Sequence, residues 1–251
     1  SRMFAGCDVA GCFRSDDAGV TWRNRSEGLS DYFVSELAEH PRLTNVLFAS
    51  TWSGVDKSVD GGLSWNVVRT GFPPVNAGFY SCPIACVRFN PENDAVLYAF
   101  RGCSRGDAGP GTPKAEVYRS EDGGESFRRI DREGDFPKDS KIVDAAVVGK
   151  DSLLVTISGK GVYRSDDGGA TWTESNAGLP HRKVWQMAAA PSDPRIVYLA
   201  VRLSGEANVC DSGVYKSTDA GRTWVESDAG LPRIPPRNGN GLLHMHHTPD
   251  V

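Results

Sequence analysis

Short runs of alternating apolar and polar residues recur along the chain, and each run ends near Gly, Pro, Asn or Asp. An alternation with a period of two residues is typical of half-buried β-strands, whereas amphipathic helices need apolar residues three and four positions apart. Clear examples are residues 12–14, 55–57, 117–119, 162–164 and 214–216. The pattern therefore predicts an all-β chain built from many short strands.

An eight-residue pattern follows each of these runs: Ser, any residue, Asp, a small residue, Gly, any residue, Ser or Thr, and an aromatic residue. It occurs at residues 15–22, 58–65, 120–127, 165–172 and 217–224, which we call the octapeptide turns. Gly permits a positive φ, the Asp and Ser oxygens can bond amides of their own turn, and the aromatic residue can pack between sheets. We therefore expect a structural role for the Asp residues, which are Asp17, Asp60, Asp122, Asp167 and Asp219.

The intervals between octapeptide turns each hold two further strand-like runs, which gives four strands per repeat. Four short antiparallel strands that recur about every 50 residues indicate the blades of a β-propeller. We therefore predict one propeller domain over residues 1–251. Its blades are expected at residues 1–28, 34–70, 84–131, 142–176 and 184–228.

Alignment of the repeats leaves two possible rings. The chain begins at a second strand, residues 3–7, and ends after a first strand, residues 242–248. That last strand either completes the opening blade of a five-bladed ring or opens another blade of a larger ring. The chain starts with Ser and has no secretion signal, so we expect it to be part of a longer polypeptide.

The long connections all fall at one predicted end of the blades, opposite the octapeptide turns. They are residues 69–81, 102–114, 131–140, 203–212 and 231–241. Long irregular loops on a rigid scaffold commonly carry binding sites, so we place the candidate site at this loop-rich end.

Two sets of aligned polar positions approach the loop-rich end. On the first strands they are Glu36, Cys86, Asp144, Gln186 and His244; near the ends of the second strands they are Asp8, Thr51, Arg101, Ser158 and Arg202. Paired carboxylates suit general acid and base catalysis on a glycosidic bond, and Arg suits bidentate binding of a carboxylate. The catalytic candidates are therefore Asp8, Glu36 and Asp144. The alternative is a set of solvated channel-lining groups that only satisfy one another.

Candidate substrate-binding residues come from the same positions and from nearby aromatic residues, whose rings can stack on sugars. They are Arg101, Arg202, Gln186, His244, Trp52 and Tyr80. Local loop packing is the alternative role for the aromatic residues.

The octapeptide turns resemble the Asp-box (BNR) repeats of the sialidase-like β-propellers, and the resemblance covers nearly the whole chain. Residues 3–14 resemble the N-terminal propeller of the xyloglucan-hydrolase family, in which a Thr-Asp-Val-Gly-Gly segment ends the second strand of the first blade. This resemblance implies that Asp8 is a general base, although Cys7 replaces the Thr and Ala10 replaces the first Gly. It also implies that the general acid belongs to a second propeller.

Charge and composition exclude several partners. Lys and Arg total 28 against 32 Asp and Glu, so a net charge of −4 provides no basic surface for nucleic acid. No apolar stretch approaches the roughly 18 residues of a membrane span. Six Cys residues, an even number, predict at least one disulfide and hence an exported, extracellular or periplasmic protein. The predicted pairs are Cys7 with Cys12 across a hairpin, and Cys82 with Cys103.

No cofactor or metal is expected. His244 and His246 project to one side of a predicted strand, but two ligands are too few for a structural zinc site. The sequence therefore predicts an exported, glycoside-hydrolase-like propeller that binds a polysaccharide at its loop-rich end, and it leaves open whether the polysaccharide is also hydrolysed; if the protein is an enzyme, we expect a glycoside hydrolase. The alternative is a propeller without catalytic activity that binds a protein, as resemblance to sortilin-type receptors and photosystem assembly propellers allows.

Overall fold

The computed structural model describes residues 1–72, 84–102, 115–137, 140–202 and 213–231. Every regular element in these ranges is a β-strand, and the strands form five antiparallel sheets. The all-β prediction is therefore confirmed. Within the same ranges, no helix is long and apolar enough to cross a membrane.

The five sheets follow one another along the chain. The first has three strands: β1 (Met3–Cys7), β2 (Gly11–Ser15) and β3 (Arg23–Asn24). The second contains β4 (Val34–Glu39), β5 (Leu47–Thr51), β6 (Gly54–Ser58) and β7 (Asn66–Val68), and the third contains β8 (Ile84–Phe89), β9 (Leu97–Arg101), β10 (Glu116–Ser120) and β11 (Arg128–Arg129). The fourth contains β12 (Ile142–Val147), β13 (Leu153–Ile157), β14 (Gly161–Ser165) and β15 (Thr173–Glu174), and the fifth contains β16 (Val184–Ala190), β17 (Asp193–Val201), β18 (Gly213–Ser217) and β19 (Val225–Glu226).

The chain divides into two compact units, Ser1–Ile130 with the first three sheets and Asp131–Val251 with the last two. Within the first unit β1 contacts β4 and β4 contacts β8, and within the second unit β12 contacts β16. Neighbouring sheets within a unit thus meet along the first strand of each sheet in chain order, as the blades of a propeller do. We call these first strands, β1, β4, β8, β12 and β16, the leading strands. The assignment of residues 1–251 to one domain stays a prediction, and strand 242–248 lies outside the described residues.

Neighbouring sheets bury both sides of the strands between them. Every residue of β5 is buried, because Leu47 packs toward Trp65 and the first sheet while Phe48 packs toward Phe127 and the third. Strands covered on both faces read as nearly continuous apolar runs, which explains the Leu-Phe-Ala sequence of β5. In the second unit, Leu154 and Trp224 belong to one core cluster of the fourth and fifth sheets.

One hydrogen-bond network recurs in all five octapeptide turns. The Ser hydroxyl donates to Asp Oδ1 at 2.7–2.8 Å, and the Ser oxygen accepts the amide of the Gly at the fifth position of the turn at 2.7–2.9 Å. The Thr or Ser at the seventh position donates its hydroxyl to Asp Oδ2 at 2.5–2.7 Å and its amide to Oδ1 at 2.8–3.0 Å. At Asp17, the hydroxyl and amide of Thr21 lower the carboxyl pKa to about 2.

Where another sheet precedes it in the same unit, the aromatic residue of an octapeptide turn docks onto the segment that follows that sheet, as Trp65, Phe127 and Trp224 do. The Trp65 amide donates to Glu27 O at 2.9 Å, and its indole N–H donates to Arg25 O at 2.8 Å. Gly28 has a φ of 84°, and a Cβ there would lie 2.0 Å from Trp65 O. Only Gly allows this approach, and Gly178 makes the same contact with Trp224.

The predicted pairing of Cys7 with Cys12 is wrong. Gly6 is directly opposite Cys12 and Cys7 is directly opposite Gly11, so the two Cys side chains point to opposite faces of the hairpin. Both are free thiols. The other predicted pair, Cys82 with Cys103, lies outside the described residues.

The octapeptide network predicts that Asp60→Ala lowers the free energy of unfolding by about 1 to 2 kcal/mol, because one side chain satisfies two hydroxyls and two amides. Urea denaturation measures the change. The neighbouring Val59→Ala is the control, since this side chain is 52% exposed and its truncation should cost less than about 0.5 kcal/mol. Equal effects of the two substitutions would contradict the proposed importance of the network.

Candidate functional site

The second strands end at one shared position in each sheet, and the structure shows which residues occupy it. The amides of Trp52, Ser158 and Arg202 each donate to the carbonyl before the first strand of their own sheet, at 3.3, 2.9 and 2.8 Å. Asp8 follows β1 at the equivalent point, because Cys7 pairs with Gly11 as Thr51 pairs with Gly54. The aligned set is therefore Asp8, Trp52, Ser158 and Arg202, with Gly102 in the third sheet.

The expected alignment of Thr51 and Arg101 with Asp8 is therefore wrong by one residue. Thr51 and Arg101 are the last paired residues of β5 and β9, opposite Gly54 and Glu116. Because side chains alternate between the two faces along a strand, a shift of one residue means that the Arg101 side chain points to the opposite face of its sheet from the expected one.

The connection between the first and second sheets places two aromatic residues, Tyr32 and Phe33, near the turn that carries Asp8. The Gly11 amide donates to Tyr32 O at 2.9 Å, so the β1–β2 hairpin touches this connection. Phe33 stacks on Trp52 with ring centroids 4.5 Å apart, while Tyr32 remains 58% exposed. Asp31 accepts the Phe33 amide and the Ser53 hydroxyl, both at 3.0 Å.

We call these residues the acidic aromatic face. Its members are Asp8, Asp31, Tyr32, Phe33 and Trp52. It lies at the ends of the first two sheets opposite their octapeptide turns, since β1–β2 and β5–β6 turn back at this end. Exposed rings next to carboxylates can stack on the apolar side of a sugar and bond its hydroxyls. Sequence reasoning found Asp8 and Trp52 but missed Tyr32 and Phe33, for which the adjacent aromatic pair before β4 was the available signal.

Backbone strain occurs at the residue after Asp8. Val9 has a φ of 70°, in the left-handed region that β-branched residues rarely adopt, and its side chain is 66% exposed. In the fourth sheet the same turn has Gly159, with a φ of 66°. Strain of this kind gathers at functional sites, where the surroundings hold a side chain in a required orientation. The strained residue therefore supports a functional role for Asp8.

Glu36 forms an ion pair between neighbouring sheets. Both of its carboxylate oxygens lie 2.8 Å from Nη1 of Arg88, and the Glu36 and Arg88 side chains are only 29% and 14% exposed. The pair links β4 to β8 within the first unit. Glu36 is therefore placed as an anion that holds two leading strands together.

Asp144 lies inside the contact between the fourth and fifth sheets. It is 7% exposed, and its carboxylate accepts the amides of Ala145 at 2.8 Å and Met187 at 2.9 Å. Thr156 donates its hydroxyl to Trp185 O at 2.8 Å in the same contact. Both leading strands have irregular pairing here, between Ile142 and Asp144 and between Val184 and Met187, so Asp144 satisfies amides that the ladder leaves open.

The two predicted Arg residues are held by different partners. Arg101 donates to Glu116 at 2.7 Å, and Glu116 also accepts from Arg129 at 3.0 Å and from the Tyr118 hydroxyl at 2.8 Å. Arg202 lies over the ring of Trp185, with its guanidinium carbon 4.6 Å from the centroid. Sequence reasoning missed Trp185, which precedes an aligned strand position by one residue.

Three further residues were predicted to bind substrate: Gln186, Tyr80 and His244. Gln186 follows Trp185, and its buried Oε1 has no hydrogen-bond partner within the described residues. Tyr80 and His244 lie outside the described residues. Across the described ranges, no three His, Cys, Asp or Glu side chains gather to hold a metal ion.

Comparison with known proteins agrees with the fold. A family model described as Sortilin, neurotensin receptor 3, matches residues 115–235. A xyloglucanase from Hypocrea jecorina is 26% identical over 241 residues, which cover 86% of this chain and 28% of that protein.

Solved structures show the same architecture. An ancestral GH74 enzyme superposes with a TM-score of 0.66 at 21% identity, covering 92% of this chain and 30% of that chain. The GH74 xyloglucanase from Xanthomonas campestris gives 0.63 at 16% identity, covering 90% and 37%. The chain thus spans about a third of the length of these relatives. Sheets and comparisons together define it as a β-propeller protein.

The placement of the carboxylates predicts a large effect on stability for one of them and a small effect for another. Asp144→Ala should lower the free energy of unfolding by about 2 to 4 kcal/mol, because it leaves buried amides of Ala145 and Met187 without an acceptor. Asp8→Ala should change it by less than about 0.5 kcal/mol, since Asp8 is exposed in a turn. Chemical denaturation of both variants checks the difference, and a neutral Asp144→Ala would contradict the structural placement.

Proposed function

We propose that this chain binds a polysaccharide on the acidic aromatic face. The observation that carries the proposal is the stacked pair of Phe33 and Trp52 with the exposed Tyr32, next to the turn of Asp8. Aromatic rings bind sugars through the apolar side of the pyranose, and carboxylates accept bonds from its hydroxyls. The similarity to a xyloglucanase supports a neutral glucan as the ligand class.

The proposal extends to hydrolysis with Asp8 as the general base. An inverting mechanism needs one carboxylate to activate water and a protonated carboxyl roughly 6.5 to 9.5 Å away to protonate the leaving oxygen. Asp8 is exposed at the strained turn, which suits the first role. Glu36 is paired with Arg88, and Asp144 is buried against amides, so neither is arranged as the acid. The proposed acid is a carboxyl other than these two.

A polymeric glucan also suggests where the protein works. Polysaccharides are too large to cross a membrane unaided, so an enzyme or receptor for them acts outside the cytoplasm. We therefore place the protein in the extracellular or periplasmic space. The octapeptide turns fit the Asp-box pattern in sequence, and the same bond from Ser to Asp recurs in all five of them, which supports membership in the sialidase-like propellers.

Protein binding is the second candidate function. The sortilin family model matches residues 115–235, which contain the fourth and fifth sheets. In this part of the chain Arg202 stacks on Trp185, and the next residue, Gln186, has a buried Oε1 with no hydrogen-bond partner among the residues that the structure describes. Arg and Trp are the residues most enriched at energetically important positions of protein interfaces.

Calorimetric titration with xyloglucan oligosaccharides tests glycan binding. Trp52→Ala should weaken binding about tenfold or more, which corresponds to roughly 1.4 kcal/mol, because it removes one ring and releases Phe33. Asp8→Asn should abolish the release of reducing ends while oligosaccharide binding remains. Trp22→Ala and Asp16→Asn are matched controls at the octapeptide end of the first sheet, where both side chains are exposed.

Two results would contradict the proposal. Wild-type protein that binds no oligosaccharide would remove the glycan function and leave protein binding. Equal losses in Trp52→Ala and Trp22→Ala would show that the acidic aromatic face is not the site.

A further inference from the structure

The fully buried carboxyl group of Asp56 is hydrogen-bonded to the segment that leads into the acidic aromatic face. Asp56, in the middle of β6, has 0% exposure. Its Oδ2 accepts the amide of Ser30 at 3.0 Å and the hydroxyl of Ser30 at 2.8 Å. Its Oδ1 is also buried and has no hydrogen-bond partner within the described residues. A buried carboxyl with one unsatisfied oxygen costs stability, so the scaffold alone does not account for it.

The repeat shows that this position does not need an acid. Asp56 stands two residues before the Ser of its octapeptide turn. The residues at the same position in the other four repeats are Phe13, Tyr118, Tyr163 and Tyr215. An aromatic residue therefore suits this strand position, and Asp56 is specific to the sheet that carries Trp52.

Ser30 connects Asp56 to the acidic aromatic face. It directly precedes Asp31, Tyr32 and Phe33 in the chain, and its hydroxyl also lies 3.1 Å from the hydroxyl of Thr51. The Phe33 carbonyl accepts the Trp52 amide at 3.3 Å, and the rings of these two residues stack. The position of Ser30 therefore fixes how the following three residues meet Trp52.

We propose that Asp56 is a positioning residue whose protonation state sets how tightly Ser30 is held, so that the geometry of the acidic aromatic face depends on pH. The proposal rests on the proposed function for its biological meaning. The ionised carboxylate binds the two Ser30 donors more strongly than the neutral acid does. Deprotonation thus tightens the connection at residues 30–33, and protonation loosens it.

The surroundings of Asp56 place its titration near neutral pH. Burial is the main cause that raises its pKa to about 6, and the negative charge of Asp31 adds to it. The two bonds from Ser30 and the positive charge of Arg69, which follows β7, act in the opposite direction. Burial, with Asp56 and Cys7 nearby, raises the pKa of Cys12 on β2 to about 12, so this thiol stays neutral in the same pH range.

The same shift has a definite consequence for stability. The unfolded chain has an Asp pKa near 3.9, which lies below the folded value, so the folded protein binds more protons between these two values. The free energy of unfolding therefore falls as pH rises from about 4 to about 6 because of this group. Above pH 6 the connection at residues 30–33 is therefore tighter, but ionised Asp56 lowers the free energy of unfolding.

Nuclear magnetic resonance tests the proposal on the full chain. The Ser30 amide proton and the Trp52 indole proton are followed from pH 4.5 to 7.5, with Trp52→Phe used to assign the indole signal. Both signals should shift together with a midpoint near pH 6 in the wild type. In Asp56→Asn neither should shift. Asp31→Asn is the control: the two signals should still share one midpoint because Asp56 remains, and that midpoint should lie slightly below the wild-type value because the Asp31 charge no longer raises the pKa of Asp56.

The outcomes separate this proposal from the proposed function. Constant signals in the wild type, or an unchanged midpoint in Asp56→Asn, would overturn the role of Asp56. Loss of the midpoint in Asp31→Asn would assign the titration to Asp31 and also overturn it. If Asp56→Asn does not fold, the side-chain carboxyl carbon of Asp56 in the wild type must titrate with the same midpoint as Ser30. These signals need no ligand, so a protein that shows them and binds no glycan keeps the Asp56 proposal and loses the glycan function.

Discussion

The octapeptide turn at one end of each sheet contains a carboxylate that accepts two hydroxyls and one or two amides within eight residues. Hydrogen bonds to an ionised acceptor are about twice as strong as neutral ones, and here they satisfy turn amides that no strand pairs. The turn also delivers its aromatic residue to the neighbouring sheet, as Trp65 shows by bonding Arg25 O and packing against Gly28. Turn closure and sheet packing therefore depend on the same segment.

Because the octapeptide turns stabilise one end of each sheet, the residues at the other end can vary. There the equivalent positions hold Asp8, Trp52, Ser158 and Arg202, four residues with nothing chemical in common. In the first unit Asp8 and Trp52 join Tyr32 and Phe33 in the proposed sugar-binding surface, with a strained Val9 next to the exposed carboxylate. A repeated scaffold with stable turns tolerates such strain because the rest of the sheet holds the backbone.

The repeat made the fold predictable, whereas individual side chains were less so. Five octapeptide turns and the alternation before them specified strand number and direction, because each turn dictates a hairpin. Arg101 was misaligned by one residue, since the turn that follows β9 is long and gives no register signal. Cys7 and Cys12 were placed on one face because their spacing alone does not give the hairpin register, in which Cys7 pairs with Gly11 and Cys12 pairs with Gly6. The sequence around Asp144 is typical of a carboxylate that lines a channel. In the structure, the irregular pairing of β12 and β16 instead lets Asp144 accept the Met187 amide. Strand register therefore decided the positions of Arg101 and of the two Cys residues, whereas a contact between two sheets decided that of Asp144.

The central claim is that the acidic aromatic face holds a sugar chain, and mapping of chemical shifts during titration with a xyloglucan oligosaccharide tests it most directly. The account predicts saturable shifts at the Trp52 indole and at the amides of Tyr32 and Phe33, with little change at the octapeptide turns. Saturable shifts confined to residues 115–231, or the absence of any shift at millimolar ligand, would contradict it.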